Sequence, residues 1–193
     1  MQNLSDISQI IGGHSFRGRI KEVRDGSVRV IQVSDINEST GVDYDGLTKT
    51  DYDGKKDDVY LREDDILCVS KGPRLYTIVL EDVPDNVVAN LHITIVRANS
   101  ERAIPGYISW FLNNSQAYYQ KISQGSGVSH MKKQDLANLP IELPSLENQK
   151  IIVEMEKLKR KERHILNELS RKKDVLTLAC QKQLSTNQIR RNK

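Results

Sequence analysis

The sequence predicts an α+β chain: a mixed domain of mostly antiparallel strands with short helices, followed by one long coiled-coil helix. Three observations carry that expectation. β-branched and aliphatic runs separated by turn residues extend to Ala98, the apolar spacing becomes helical after Pro105, and no Pro or Gly occurs from Ser145 onward. The boundaries expected are a domain over 1–142, the long helix over 145–185 and a basic flexible tail over 186–193.

Taken in order, LSDISQII (4–11) spaces its apolar residues like a helix and suggests a short opening helix or strand. GGHSFRGRIKEVR follows and holds Arg17, Arg19, Lys21 and Arg24, ahead of a strand signal in SVRVIQVSDI. Residues 38–58 read as a polar, turn-rich loop in which DYDG occurs twice, at Asp43 and Asp51. Counted from Asp51 as an EF-hand, Lys55 and Arg62 fall where oxygen ligands belong, so these repeats read as turns. YLREDDILCV gives a turn and a buried strand, with Cys68 as a small core residue. In SKGPR, Gly72 supplies backbone freedom and Pro73 fixes φ, which makes a tight turn. LYTIVL reads as a strand, EDVPDN as a turn and VVANLHITIVRA as one long strand.

Pro105 suits the first turn of a helix. IPGYISWFLNNSQAYYQKI then reads as one helix, or two broken near Asn113–Ser115, with Trp110, Phe111 and Tyr118 in the core. SQGSGVSHMKKQDLANL is a flexible Gly-Ser loop leading into a helical turn, and Pro140 and Pro144 bracket a short extended piece. Ser145 is the expected N-cap of the long helix, with Asn148 three positions on and Glu147 suited to the positive end of the dipole.

Within that helix two interleaved seven-residue series run Ile151, Leu158, Ile165, Lys172, Ala179 and Met155, Glu162, Leu169, Leu176, Gln183; seven of these ten are apolar. A seam so narrow, flanked by charges from Lys157 to Lys173, needs a partner helix. The plainer reading folds the helix back on its own domain. A helix of nearly forty residues is roughly 58 Å long, which outruns a domain of about 140 residues. Glu162 and Lys172 would meet each other across an antiparallel pair.

Composition narrows the function. No apolar run is long enough to span a membrane, and the N-terminus lacks the basic start of a signal peptide, so the cytoplasm is the expected location. The two cysteines fit neither a disulfide framework nor a zinc site. Residues 1–140 carry a net charge of −3 and residues 141–193 a net of +6. Any DNA contact by the domain must therefore gather its cations on one face. No phosphate loop, dinucleotide fingerprint, nucleophile elbow or HExxH occurs, and the four histidines have no ligand spacing. A nuclease pairing of Asp64 or Asp65 with Lys71 lacks its second acid, because Val69 stands in that place. Without a Pro-Pro pair there is no adenine methyltransferase motif, so the chain reads as non-catalytic, with no metal or cofactor of its own.

Five stretches in order, LREDDILCVSKGP, VVANLHITIVRA, IPGYISWFLNN, QGSGVSHMKKQDLANLPIELP and SLENQKIIVEMEKL, resemble the specificity subunit of type I restriction–modification enzymes. The resemblance covers roughly residues 10–180, with Asn148–Gln149, Gly127 and Pro144 at the family's positions. Lys71–Arg74 departs from it, and so does length: a typical member has two target recognition domains and two long helices. The resemblance implies a half-length subunit acting as an antiparallel homodimer on a palindromic, split site in double-stranded DNA. Its helix would hold the half-sites about 17 base pairs apart. The implied partners are adenine methyltransferase subunits, which would bring S-adenosylmethionine, and a restriction or translocase subunit.

The DNA-contact candidates are Arg17, Arg19, Lys21 and Arg24; the turn of Lys71 and Arg74 with Tyr76; and Ser126, His130, Lys132 and Lys133 in the Gly-Ser loop. Each has a plain reading as well: a solvated strand face for the first group and a connector for the last. The dimer or docking candidates are Ile151, Met155, Leu158, Ile165, Leu169 and Leu176, and the basic run Lys157–Arg163 reads as the wet face of the coiled coil. The competing function is a coiled-coil adaptor between proteins with no DNA role.

Overall fold

The computed structural model describes residues 2–38, 40–52, 54, 59–71, 74–120 and 132–191. The chain divides into two units, Met1–Val153 and Glu154–Lys193. The first unit therefore includes the opening two turns of the long helix.

Its centre is an antiparallel sheet of β2 (Ser8–Gly12), β10 (Ile93–Ala98), β7 (Ile66–Lys71) and β8 (Arg74–Val79), in that order. A second sheet runs β6 (Thr48–Thr50), β3 (Val28–Ile31) and β9 (Val87–Ala89), with β3 and β9 parallel. Two short pairs complete the set among the described residues: β1 (Gln2–Asn3) with β11 (Pro140–Ile141), and β4 (Ile36–Asn37) with β5 (Gly41–Val42).

The central sheet is buried on both faces, which is why ILCV and its neighbours are apolar without alternation. Leu67, Val69, Tyr76, Ile78, Ile93 and Ile95 face a core shared with the second sheet. Ile66, Cys68, Leu75 and Val96 face the other way, toward the helices. Those helices are α1 (Pro105–Asn114) and α2 (Lys133–Ala137), and they bury Tyr107, Ile108, Leu112 and Leu136. Trp110, Phe111 and Tyr118 are half-buried against the same core.

Strand β8 lies at the edge of the sheet, and side-chain amides finish it. Asn113 accepts from Thr77 N–H at 2.8 Å and donates to Thr77 O at 3.1 Å; Gln116 does the same for Leu75, at 3.2 and 2.5 Å. Two amides three residues apart thus stand in for a neighbouring strand and close an edge that would otherwise template aggregation.

Three expectations need correction. VVANLHITIVRA is two strands in two sheets, because Asn90 accepts from His92 N–H (3.1 Å) and from Ile93 N–H through its carbonyl (3.0 Å), which turns the chain. SVRVIQVSDI stops at Ile31 and continues as a 3-10 turn over Val33–Asp35. The polar stretch 38–58 contains β5 and β6, and Leu47 and Thr50 are buried there. Residues 4–11 combine both alternatives, a 3-10 turn at Leu4–Asp6 and then β2.

The long helix, α3, runs Leu146–Arg191, 46 residues or about 69 Å. Ser145 caps it: Asn148 N–H reaches Ser145 Oγ (3.3 Å), and Gln149 N–H reaches the Ser145 carbonyl (2.9 Å). The backbone stays helical past residue 185, into the stretch expected to be a flexible tail. Gln149 is 1% exposed and fastens the helix to the domain. Its Oε1 accepts from Ile104 N–H (2.9 Å), and its Nε2 donates to the carbonyls of Pro144 (3.0 Å) and Arg102 (3.4 Å). Ile152 and Val153 pack on the core beside it, close enough to Gly106 that a Cβ there would come within 3.0 Å of Val153 Cγ1.

Candidate nucleic-acid interface

The sheet register sets the geometry of the candidate residues. Gly12 lies opposite Thr94, Thr94 opposite Cys68, and Cys68 opposite Thr77. The β7–β8 pair ends with Lys71 opposite Arg74, three residues beyond that row, or about 10 Å. Strand β2 leaves the sheet at the same end, and its loop carries Arg17, Arg19, Lys21 and Arg24. Two of the three predicted groups therefore emerge at one end of the central sheet.

The loop from Gly13 to Ser27 is built, not loose. A Cβ on Gly13 would sit 1.9 Å from Asn90 O, so only glycine allows that approach. His14 N–H donates to Ala89 O at 2.7 Å, and its ring meets Phe16 and Tyr52 edge-on at 4.5 and 4.7 Å. Phe16 and Ile20 turn inward onto the core, while Arg17, Arg19, Lys21 and Arg24 are all exposed. Gly18, at φ +82°, permits the reversal between them. The basic cluster is thus an outward loop surface and not the strand face weighed as its plain reading.

Around the β7–β8 end the picture is different. Arg74 Nη2 is 2.8 Å from Glu38 Oε2 in an exposed ion pair. Tyr76 belongs to the core, at 6% exposure, and is not a surface ring on which a base could stack. Burial raises its hydroxyl pKa, with Glu38 adding to the rise and Arg74 opposing it. The side chain of Lys71 lies outside the description, as do Gly72 and Pro73 entirely. Ser126 and His130 fall outside the described residues too, whereas Lys132 and Lys133 are exposed at the start of α2.

Asp65, weighed above as a nuclease carboxylate, has a structural role. It is 1% exposed and takes a bidentate grip from Arg97, Nε to Oδ1 at 2.8 Å and Nη2 to Oδ2 at 2.7 Å. Arg62 N–H also reaches Oδ2, at 2.9 Å. Three of its roughly four acceptor sites are thus taken by the protein itself, two of them by a guanidinium, which marks it as a buried structural ion pair. Among the described residues no cluster of His, Cys, Asp or Glu is suited to hold a metal. None of the described helices is long and apolar enough to cross a membrane.

Two further cations were missed in the sequence. Arg29 in β3 and Lys49 in β6 are directly opposite one another. Their contact joins residues from separate strands, and no local pattern announces it.

On the second unit, the seam is open to solvent: Met155, Leu158, Ile165, Leu169 and Leu176 are 55–66% exposed. Ile151, still within the first unit, is 53% exposed. The intervening faces are laced by Lys157–Glu154, Arg160–Glu156 and Arg171–Glu168 pairs at 3.4–3.9 Å, worth a few tenths of a kcal/mol each.

Residues 1–173 match the family described as "Type I restriction modification DNA specificity domain". The chain belongs to that family. Two similar solved structures carry the same fold. The HsdS subunit from Thermoanaerobacter tengcongensis matches with TM-score 0.61 at 18% identity, over 86% of this chain and 38% of that one. A structure described as "Structural basis underlying complex assembly and conformational transition of the type I R-M system" matches with TM-score 0.58 at 18% identity, over 85% and 38%. The chain thus spans well under half the length of these relatives. No curated protein sequence matches it.

Proposed function

We propose that this chain is the DNA-reading subunit of a type I-like restriction–modification or methyltransferase complex, acting as an antiparallel homodimer. The observation that carries this is the symmetry of the exposed seam. Pairing a second copy antiparallel about Asn167 sets Leu158 against Leu176, Ile165 against Leu169, Met155 against Ala179 and Ile151 against Gln183. The same register sets Glu162 against Lys172 on both sides of the axis. In a parallel pair each of these charges would meet its own copy, a like-charge contact within the seam.

A two-fold dimer carries two identical DNA-reading domains, so its target is palindromic and split. The exposed basic loop supplies phosphate contacts, and side chains at that end of the sheet read bases. Adenine methyltransferase subunits dock on the helices and hold S-adenosylmethionine; a restriction or translocase subunit joins where the complex cleaves. The chain itself performs no chemistry, and its place of work is the cytoplasm.

The test is the mass in solution of the wild type and of the Leu158→Glu/Ile165→Glu variant. The wild type is expected at twice 22.0 kDa and the variant at 22.0 kDa. A wild-type monomer would remove the homodimer. A dimer with no affinity for duplex DNA would leave an adaptor role in its place.

A further inference from the structure

Arg29 and Lys49 are placed where a free-standing sheet would avoid placing them. Arg29 N–H donates to Asn86 O (2.8 Å), away from β6, and Lys49 O accepts from Val23 N–H (2.9 Å), away from β3. Neither uses the edge they share, so they form a non-hydrogen-bonded pair. In that kind of pair the side chains stand closest, with Cα atoms roughly 4.5 Å apart. The other face of the same strands buries Val28, Val30 and Thr50, so both cations lie on the opposite face, where Lys49 is exposed, Arg29 half-buried and Ile31 fully buried. Like charges directly opposite one another weaken a sheet. Neither residue belongs to any ion pair made among the described residues.

The basic loop is fastened alongside them. The Val23–Lys49 hydrogen bond lays it against the outer edge of β6, so Lys21 and Arg24, exposed on either side of Val23, flank Lys49. Gly26 sits so close to β6 that a Cβ would come within 2.5 Å of Thr50 N, and Tyr52 N–H is held by Ser27 Oγ at 3.0 Å. Four cations from the loop and two strands thus lie on the β3–β6 side of the second sheet, with the exposed Glu22 and Asp25 beside Lys21 and Arg24, on a domain stretch whose net charge is −3. Arg74 offers less, because Glu38 already neutralises it.

We infer that the outer face of β3 and β6, with Arg29, Lys49, Lys21 and Arg24, is the main phosphate-binding surface of the domain, and that the Lys71–Arg74 end is secondary for affinity. This rests on the DNA-reading function proposed above. A sheet that sets two like charges opposite one another gives up stability that a bound polyanion would restore.

The test is the affinity of the full chain for a random-sequence 30-base-pair DNA duplex, by fluorescence anisotropy across a salt series. Arg29→Gln/Lys49→Gln should weaken binding about tenfold and flatten the log–log salt slope by about 1.8, or 0.9 per lost phosphate contact. Its thermal midpoint should hold or rise, because the repulsion is gone; a structural role would lower it. Arg74→Gln should change affinity by less than about threefold, in line with an exposed charge already paired. Wild-type slope and affinity in the Arg29/Lys49 variant would overturn this inference and leave the DNA-reading function standing. No binding by the wild type would overturn both, and tighter binding to an RNA duplex of the same length would overturn the assignment to DNA.

Discussion

The two units of this chain treat the same kinds of side chain in opposite ways. In the domain, Ile66, Leu67, Cys68 and Val69 are at most 3% exposed, each face of their sheet covered by a separate layer. In the helix beyond Val153, Leu158, Leu169 and Leu176 are 61–66% exposed. Apolar content does not explain the difference; periodicity does. A strand with apolar residues on both faces can be sandwiched by its own chain. A helix with apolar residues on one stripe can cover them only with a second stripe of matching period. The domain is a finished core, and the helix is half of one.

Polar groups divide along the same line. The domain places its decisive polar contacts inside: the Asp65–Arg97 pair, the Gln149 clamp and the amides of Asn113 and Gln116 along β8. The helix places its charges in water, as pairs worth little individually. Perturbing the first kind should change the thermal midpoint at every protein concentration. Perturbing the seam should instead change how the midpoint depends on concentration.

The largest expected effect is in the domain. Arg97→Met leaves the Asp65 carboxylate buried without its guanidinium and should cost about 3–5 kcal/mol in chemical denaturation. Gln149→Leu removes three hydrogen bonds and strands the Ile104 N–H, for roughly 1–3 kcal/mol. It should also loosen hydrogen exchange in the first turn of α3, leaving the seam intact. Lys172→Glu places two like-charge contacts with Glu162 in the antiparallel pair. It should weaken the dimer by about 1 kcal/mol in sedimentation equilibrium, with recovery in the Glu162→Lys/Lys172→Glu double variant. Arg74→Ala is the smallest, within about 0.5 kcal/mol of wild-type stability, because its pair with Glu38 is exposed.

One pH effect belongs to the domain alone. Burial, reinforced by Glu63, Asp82 and Glu81, pushes the Tyr44 hydroxyl up to about 12. The unfolded phenol ionises near its ordinary value of about 10. Stability from this group is therefore complete below pH 10 and is lost as pH rises through 12. A thermal midpoint as flat between pH 10 and 12 as it is below pH 10 would contradict that placement of Tyr44.

Much of this was legible in the sequence, for identifiable reasons. The helix could be read because its N-cap, its lack of Pro and Gly and its seam are all local. The central strands could be read because burial on both faces leaves uninterrupted apolar runs. VVANLHITIVRA misled because the turn at Asn90 interrupts no apolar periodicity. Strand β6 hid behind threonines, which look polar although Thr50 is 7% exposed. The candidate interface was half legible. Arg17 to Arg24 stand together in sequence, whereas Arg29 and Lys49 meet only through strand register. Tyr76 groups with the Lys71–Arg74 turn by nearness in sequence, yet its ring belongs to the core shared with the second sheet. The covering of β8 by Asn113 and Gln116 was invisible, since NNSQ reads locally as a helix break.

The orientation of the paired helices is the point on which the account turns, and the chain carries its own probe. Cys180 is exposed, while Cys68 is 3% exposed and burial raises its thiol pKa, so a thiol-reactive spin label attaches to Cys180 alone. Antiparallel pairing about Asn167 puts Cys180 opposite Glu154 of the second copy. The two labels are then 26 residues apart along the axis, or about 39 Å. A pulsed dipolar measurement on the unmutated protein should return that distance. A distance of roughly 10 Å, the spacing of side-by-side parallel helices, or no intermolecular coupling at all, would contradict the account.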